Sequence, residues 1–264
     1  MDCLHDVDKF LRAMPVKVPR IRFSSMEGPD LGNLGIPWKK IIFVPEELDK
    51  LAQDFTSQQS AEIRLLRARI LDIHEHVNMD FVPRSRMILE SIVLTLAKIA
   101  SDPQSQTNVA IFPEMMLTPD KGVKVTNPES GYQALLYGSV DYAIIQYKDE
   151  YQNKAPLRSS RSLAFQIATG CLLLVEERRQ LTHDAATALE LHIPEAIGQA
   201  LALATSTNRE EVRFCLSNGN LWLFYILKLR EGKWWTYDAL PQQLEVGRDM
   251  SDSSLHVIMK LLLE

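Results

Sequence analysis

The apolar pattern of the chain changes period at Pro103, and that change limits the folds open to it. Before it lie two segments with helical spacing. Over 61–77, Ile63, Leu66, Ile70 and Ile73 recur on one face while Arg64, Arg67 and Arg69 occupy others. Pro83 starts a second helix that runs to about residue 100. Met87, Ile88, Ile92, Leu94, Leu96 and Ile99 make it apolar nearly all round, with Glu90 in its middle. Such a helix is expected to be buried on most sides. After Pro103 the runs are short and β-type: 108–117, 138–147 (GSVDYAIIQY) and 163–175, which ends in CLLLV. Residues 118–130 read as a hairpin-like connection and 148–162 as a polar loop.

A helix over 194–205 follows, with Pro194 tolerated in its first turn. Strands over 212–216 and 221–229 flank Ser217-Asn218-Gly219-Asn220, and Asn-Gly is a strong hairpin signal. A strand at 233–237 and a closing helix over 254–263 complete the order. Helices, then strands, then helix and strands again fit a mixed sheet covered by helices. The expected class is therefore α/β.

Residues 1–58 break this regularity. Pro15, Pro19, Pro29, Pro37 and Pro45, with Gly28, Gly32 and Gly35, discourage long elements. Short helices fit 8–14 and 45–55. The segment reads as an arm packing on one domain, 59–264. In a chain of 264 residues a hydrophobic fraction of 46% is enough for a sizeable core. No stretch reaches the roughly 20 apolar residues of a membrane span. The first ten residues carry Asp2, Asp6 and Asp8 and lack the pattern of a secretory signal. Cys3, Cys171 and Cys215 are odd in number and form no CxxC pair, which argues against a disulfide framework or a zinc ribbon. The expectation is a soluble protein of a reducing compartment, nucleus or cytoplasm. The net charge of −5 means that any nucleic-acid contact must come from a local basic surface.

Two short motifs bear on chemistry. One is an aspartate inside an apolar strand, Val140-Asp141-Tyr142-Ala143-Ile144-Ile145. The other is a strand that runs into charge, Val175-Glu176-Glu177-Arg178-Arg179. In a strand, residues i and i+2 share a face, so Glu176 and Arg178 go together. A carboxylate in an apolar strand needs a partner. For Asp141 that partner is either a structural ion pair or a bound cation. If the two strands are neighbours, Asp141 can meet Glu176 in an oxygen site suited to Mg²⁺ or Mn²⁺.

Asp141, the 34 residues 142–175, and then Glu176-x-Arg178 resemble the core of the PD-(D/E)XK nuclease superfamily. The likeness covers about residues 83–230, and the overall style is similar to fungal proteins with this core. It implies a restriction-endonuclease-like fold with a glutamate-bearing helix before the sheet, where Glu90 stands. It also implies a helix after the E-x-K strand, whose inner face would carry Gln199. The implied activity is metal-dependent hydrolysis of nucleic-acid phosphodiester bonds. Asp141, Glu176 and Glu90 would hold the metal, Arg178 the phosphate, and Gln199 the substrate or the arginine. Arg178 stands where the superfamily usually has lysine. Arginine stays protonated and acts only as a donor fork, so it can stabilise phosphate but cannot serve as a base. The resemblance therefore also allows a catalytically inactive module that binds nucleic acid or a protein partner.

Other candidates are weaker. His74 and His76 are two apart on a helix and do not share a face. Neither a glycine-rich phosphate loop nor a Gly-x-Ser-x-Gly elbow is present. Trp222, Trp234 and Trp235 suit core positions, or base stacking if one is exposed. Arg84, Arg86, Arg158, Arg161, Arg178 and Arg179 gather near the motifs in sequence and could rim one cleft.

Overall fold

The computed structural model describes residues 18–40, 50, 55–77, 82–101, 106–118, 121–150, 153, 157, 161–176, 189–239, 242–244 and 252–263. Within these, the side chains of residues 38, 40, 82–84, 161–162, 174–176, 242–243 and 252–253 lie outside the description. The chain runs β1 (Arg20–Arg22), a 3-10 turn (Phe23–Ser25), α1 (Gly28–Leu34), β2 (Trp38–Lys40), α2 (Ser57–His76), α3 (Val82–Ala100), β3 (Thr107–Met116), β4 (Val123–Thr126), β5 (Gln133–Tyr137) and β6 (Ser139–Lys148). It continues with α4 (Arg161–Ile167), β7 (Ala168–Glu176), α5 (Ile193–Thr207), β8 (Glu211–Ser217), β9 (Leu221–Arg230), β10 (Lys233–Asp238), β11 (Gln242–Gln243) and α6 (Asp252–Leu263).

Local chemistry sets the boundaries. At the start of α2 the Thr56 hydroxyl accepts from the Gln59 amide at 3.2 Å, and the Gln59 side chain accepts from the Thr56 amide at 2.9 Å. Two otherwise orphaned donors are thereby satisfied. Pro194 sits in the first turn of α5, and Asn208, left-handed at φ 54°, ends it. Between β8 and β9, Asn218 Oδ1 accepts from the amides of Asn220 and Leu221, and Gly219 supplies φ +89°.

The strands form two mixed sheets. The main one has the order β2-β10-β9-β8-β7-β6-β3, with β11 added to β9, and the small one has the order β1-β5-β4. Strands β7 and β8 are parallel, joined through α5. Around them, β3–β6, β6–β7, β8–β9 and β9–β10 are antiparallel. Each face of the main sheet has its own core. One holds Leu173, Phe214 and Leu216 with α5 and the small sheet. The other holds Ile144, Cys215 and Trp222 with α2, α3 and α6. Among the described residues no helix is long and apolar enough to cross a membrane.

Three expectations need amending. The N-terminal arm is more than a cover: β1 pairs in parallel with β5, and β2 in parallel with β10, so it supplies a strand to each sheet. Most of the helices expected over 8–14 and 45–55 lies outside the described residues. The connection over 118–130 includes β4, which pairs with β5, a strand that the reading of the sequence lacked. Finally, α3 is not buried nearly all round. Met87 is 42% and Leu94 59% exposed, and with Glu90 they form one solvent-facing stripe at helical spacing.

Candidate functional site

Strands β6 and β7 are hydrogen-bonded neighbours, with Tyr142 opposite Leu174 and Ala143 opposite Leu173. Continuing that register one step levels Asp141 with Val175. Glu176 falls one residue further on, where its backbone pairs with Ser217 of β8. The side chain of Glu176, and Glu177, Arg178 and Arg179 altogether, lie outside the described residues.

At Asp141 the strand pair changes the core it faces. Tyr142 and Ile144 pack with α2, α3 and α6, while Ala143 and Ile145 pack with α5, as alternation requires. Val140 should join Tyr142 but packs with Ala143. On β3, Ile111 packs on the first core, whereas Met115 lies in the second. Between them Glu114 is left-handed, with φ 48°. Pro113 is opposite Tyr142 and Met115 opposite Val140, so Glu114 stands level with Asp141. A non-glycine residue held at positive φ costs about 1–3 kcal/mol, and such strain tends to be kept where a side chain must be re-aimed. The edge position of β3 accommodates Pro113, which has no N–H to donate.

Two other candidates approach β6 from opposite faces of the sheet. From α3, Glu90 Oε1 accepts from Tyr142 Oη at 3.3 Å and from Arg86 Nε at 3.2 Å. The same guanidinium lies 3.7 Å from Glu114 Oε1. Glu90 is therefore a half-exposed partner of Arg86, its side chain 48% accessible. From α5, the buried Gln199 donates through Nε2 to Ser139 O and to Glu195 Oε1, each at 3.3 Å. Its Oε1 is buried and has no hydrogen-bond donor among the described residues.

Residues 139–142 are thus reached by Gln199 on one face of the sheet and by Glu90 on the other, with Glu114 level with Asp141 on β3. Glu114 is an addition to the residues expected from sequence, and Arg86, expected as a rim cation, stands between Glu90 and Glu114. Pro113 inside a β-type run was a readable signal for Glu114, and the i, i+4 spacing for the pairing of Arg86 with Glu90. Of the basic residues expected to rim the cleft, Arg86 is the one whose side chain the description includes. Among the described residues no three His, Cys, Asp or Glu groups converge as metal ligands.

A cavity of about 380 Å³ opens elsewhere, walled by Leu96, Val109, Ile144 and Leu172, with Gln146, Arg209 and Arg213 at its polar side. Along β6 its lining begins at Ile144, three residues and roughly 10 Å from Asp141. Cys171 lines this cavity, and burial pushes its thiol up to about 12 while the Arg209 charge pulls the other way. Glu211, also on the lining, is held below the usual carboxylate range, first by its hydrogen bond from Lys228 at 2.7 Å and further by Arg213 at 3.3 Å; partial burial opposes both.

No protein-family model matches the chain, and no curated protein matches its sequence. The geometry defines a mixed α/β protein, two mixed sheets flanked by helices, with polar groups from the two helical layers reaching one end of β6 from opposite faces.

Proposed function

We propose that the chain is a PD-(D/E)XK-type protein that hydrolyses nucleic-acid phosphodiester bonds at the Asp141 end of β6. The observation that carries this reading is the adjacency of β6 and β7, which makes the aspartate strand and the E-x-R strand hydrogen-bonded neighbours. The placement of α3 and α5 supports it, since a glutamate and a glutamine from flanking helices reach Tyr142 and Ser139, within two residues of Asp141. Asp141 and Glu176 would hold Mg²⁺ or Mn²⁺, which when bound offsets phosphate charge and acidifies a water. Arg178 would anchor the phosphate as a donor fork. The orphaned Oε1 of Gln199 is a buried acceptor suited to a guanidinium or a substrate donor. Glu90, engaged by Arg86 and by Tyr142, would complete the metal shell or orient a metal-bound water.

That engagement also favours a second reading, a module of the same fold that binds nucleic acid or a protein partner without cleaving. Calorimetric titration of Mn²⁺ into the wild type and into the Asp141→Ala, Glu176→Ala double variant separates the two, alongside incubation with labelled DNA and RNA oligonucleotides. Metal uptake and cleavage that both vanish in the variant are expected. Absence of metal uptake by the wild type with an oligonucleotide present would sink the hydrolytic reading and leave the binding module.

A further inference from the structure

Along β9, the residues facing the α2, α3 and α6 layer are Trp222, Phe224, Ile226, Lys228 and Arg230. The first two are buried, the next two half-buried and the last exposed. The helical cover thins toward this end of the sheet, and basic and aromatic side chains take over. Trp235 on β10 is opposite Lys228, Tyr237 is opposite Ile226, and Ile226 is opposite Arg213 on β8. Lys39, exposed on β2, is paired with Tyr237. These pairings put Lys39, Arg213, Lys228, Arg230, Trp235 and Tyr237 on one half-exposed face.

Three cations sit over the rings. Lys39 Nζ is 4.4 Å and Lys233 Nζ 5.9 Å from the Trp235 ring centroid, and Arg230 Cζ is 5.2 Å from that of Tyr237. Against the five cations stand two carboxylates among the described residues, Glu211, bonded to Lys228 and Arg213, and Glu129, bonded to Lys233. In a chain with a net charge of −5 such a local excess is the kind of surface an anionic partner requires.

We infer that this face binds single-stranded nucleic acid. Aromatic planes on an open sheet offer stacking to any base, and flexible cations above the rings can swing to phosphates when a base takes their place. Duplex bases are stacked on each other and cannot reach the rings, so an unpaired strand is the fitting occupant. An acidic peptide would use the cations and leave the ring planes idle. The rings of this face, on β10, lie four strand spacings from β6, roughly 19 Å across the sheet, while Arg213 on β8 lies two. It is therefore distinct from the Asp141 site, and this inference does not rest on hydrolysis there.

The test is fluorescence anisotropy of a labelled 20-nucleotide oligo-dT with the full chain in EDTA. A duplex of equal length and a poly-glutamate peptide serve as competitors. The oligo-dT should bind more tightly than either competitor. The Trp235→Ala, Tyr237→Ala variant should bind roughly 10-fold or more weakly, while Trp235→Phe keeps most of the affinity. The slope of log affinity against log salt should be about −3 for four phosphate contacts, and about 1.4 shallower in Lys39→Gln, Arg230→Gln. This second variant leaves the rings intact and decides the matter if the first does not fold. The inference is overturned by no binding, by equal binding of duplex or poly-glutamate, or by undiminished affinity in the folded ring variant. It is also overturned by an unchanged salt slope in the charge variant, or by an equal loss in Asp141→Ala, Glu176→Ala.

Discussion

Glu114 on β3 stands level with Asp141 on β6, and at that level both strands change the core they face. Two carboxylate residues side by side on adjacent strands are unfavourable without a cation. Arg86, 3.7 Å from Glu114, supplies one on the α3 side. The left-handed backbone at Glu114 is the local cause of the change. It is also a reason for Asp141 to be half-buried rather than sealed within either core.

If this arrangement serves hydrolysis, the two acids should differ in their effect. Asp141→Asn should reduce Mn²⁺-dependent cleavage of a labelled oligonucleotide below detection. Glu114→Gln, acting through position, should lower it by roughly 10–100-fold. Thermal melts of both variants should stay close to the wild type. A Glu114→Gln enzyme as active as the parent would show that the strand change has no bearing on the site.

Gly138, between β5 and β6, has φ +140°, and a Cβ there would lie 2.7 Å from Phe23 Cδ2. Phe23 is buried in the core shared by α5 and the small sheet. Gly138→Ala should therefore cost about 1–3 kcal/mol through backbone strain and overpacking. In urea unfolding this appears as a lower midpoint with an unchanged slope. A midpoint within error of the wild type would mean that Phe23 moves aside freely.

What the sequence made legible was local. The face of Ile63, Leu66, Ile70 and Ile73 follows from helical period alone, and the β8–β9 hairpin from Asn218-Gly219. Asp141 and Glu176 were readable as strand residues because apolar runs surround them. The pairing that joins their strands is non-local, and so is the register that sets Asp141 level with Glu114 and Val175. A shift of one residue would exchange the faces, and nothing in either strand's own composition prevents it. The β1–β5 pairing of the small sheet was missed for the same reason, since the two are far apart in sequence, whereas the local β4–β5 pair was hidden by the Pro, Gly, Asp and Asn residues of 118–130. The exposure of Met87 and Leu94 was hidden because an apolar side chain does not announce whether a neighbour covers it.

Glu211 links stability to pH through its hydrogen bond from Lys228. Its folded pKa is depressed, so its contribution is present above the unfolded carboxylate value and is lost as pH falls through the folded one. Glu211→Gln should lower the urea midpoint at pH 7, by no more than about 1 kcal/mol because the pair is part-exposed. At pH 2.5 the difference from wild type should largely close. A difference that widens on acidification would reverse the sign argued here.

The two described cysteines should separate by access and agree in protonation. Cys215 is fully buried, and burial raises its thiol pKa above the ordinary range. Cys171 lines the 380 Å³ cavity and is part-exposed, yet its thiol is pushed up to about 12. The thiolate is the nucleophile, so reach into the cavity is not enough for reaction. At pH 8 a thiol of that pKa is ionised on the order of 1000-fold less than a free one. Iodoacetamide should therefore label Cys171 on the order of 1000-fold more slowly than free cysteine, with the rate rising about tenfold per pH unit. Cys215 should label only after denaturation. Peptide mass mapping reads both sites in one digest. Rapid labelling of Cys171 at pH 8 would show that Arg209, which opposes the effect of burial, dominates in the cavity instead.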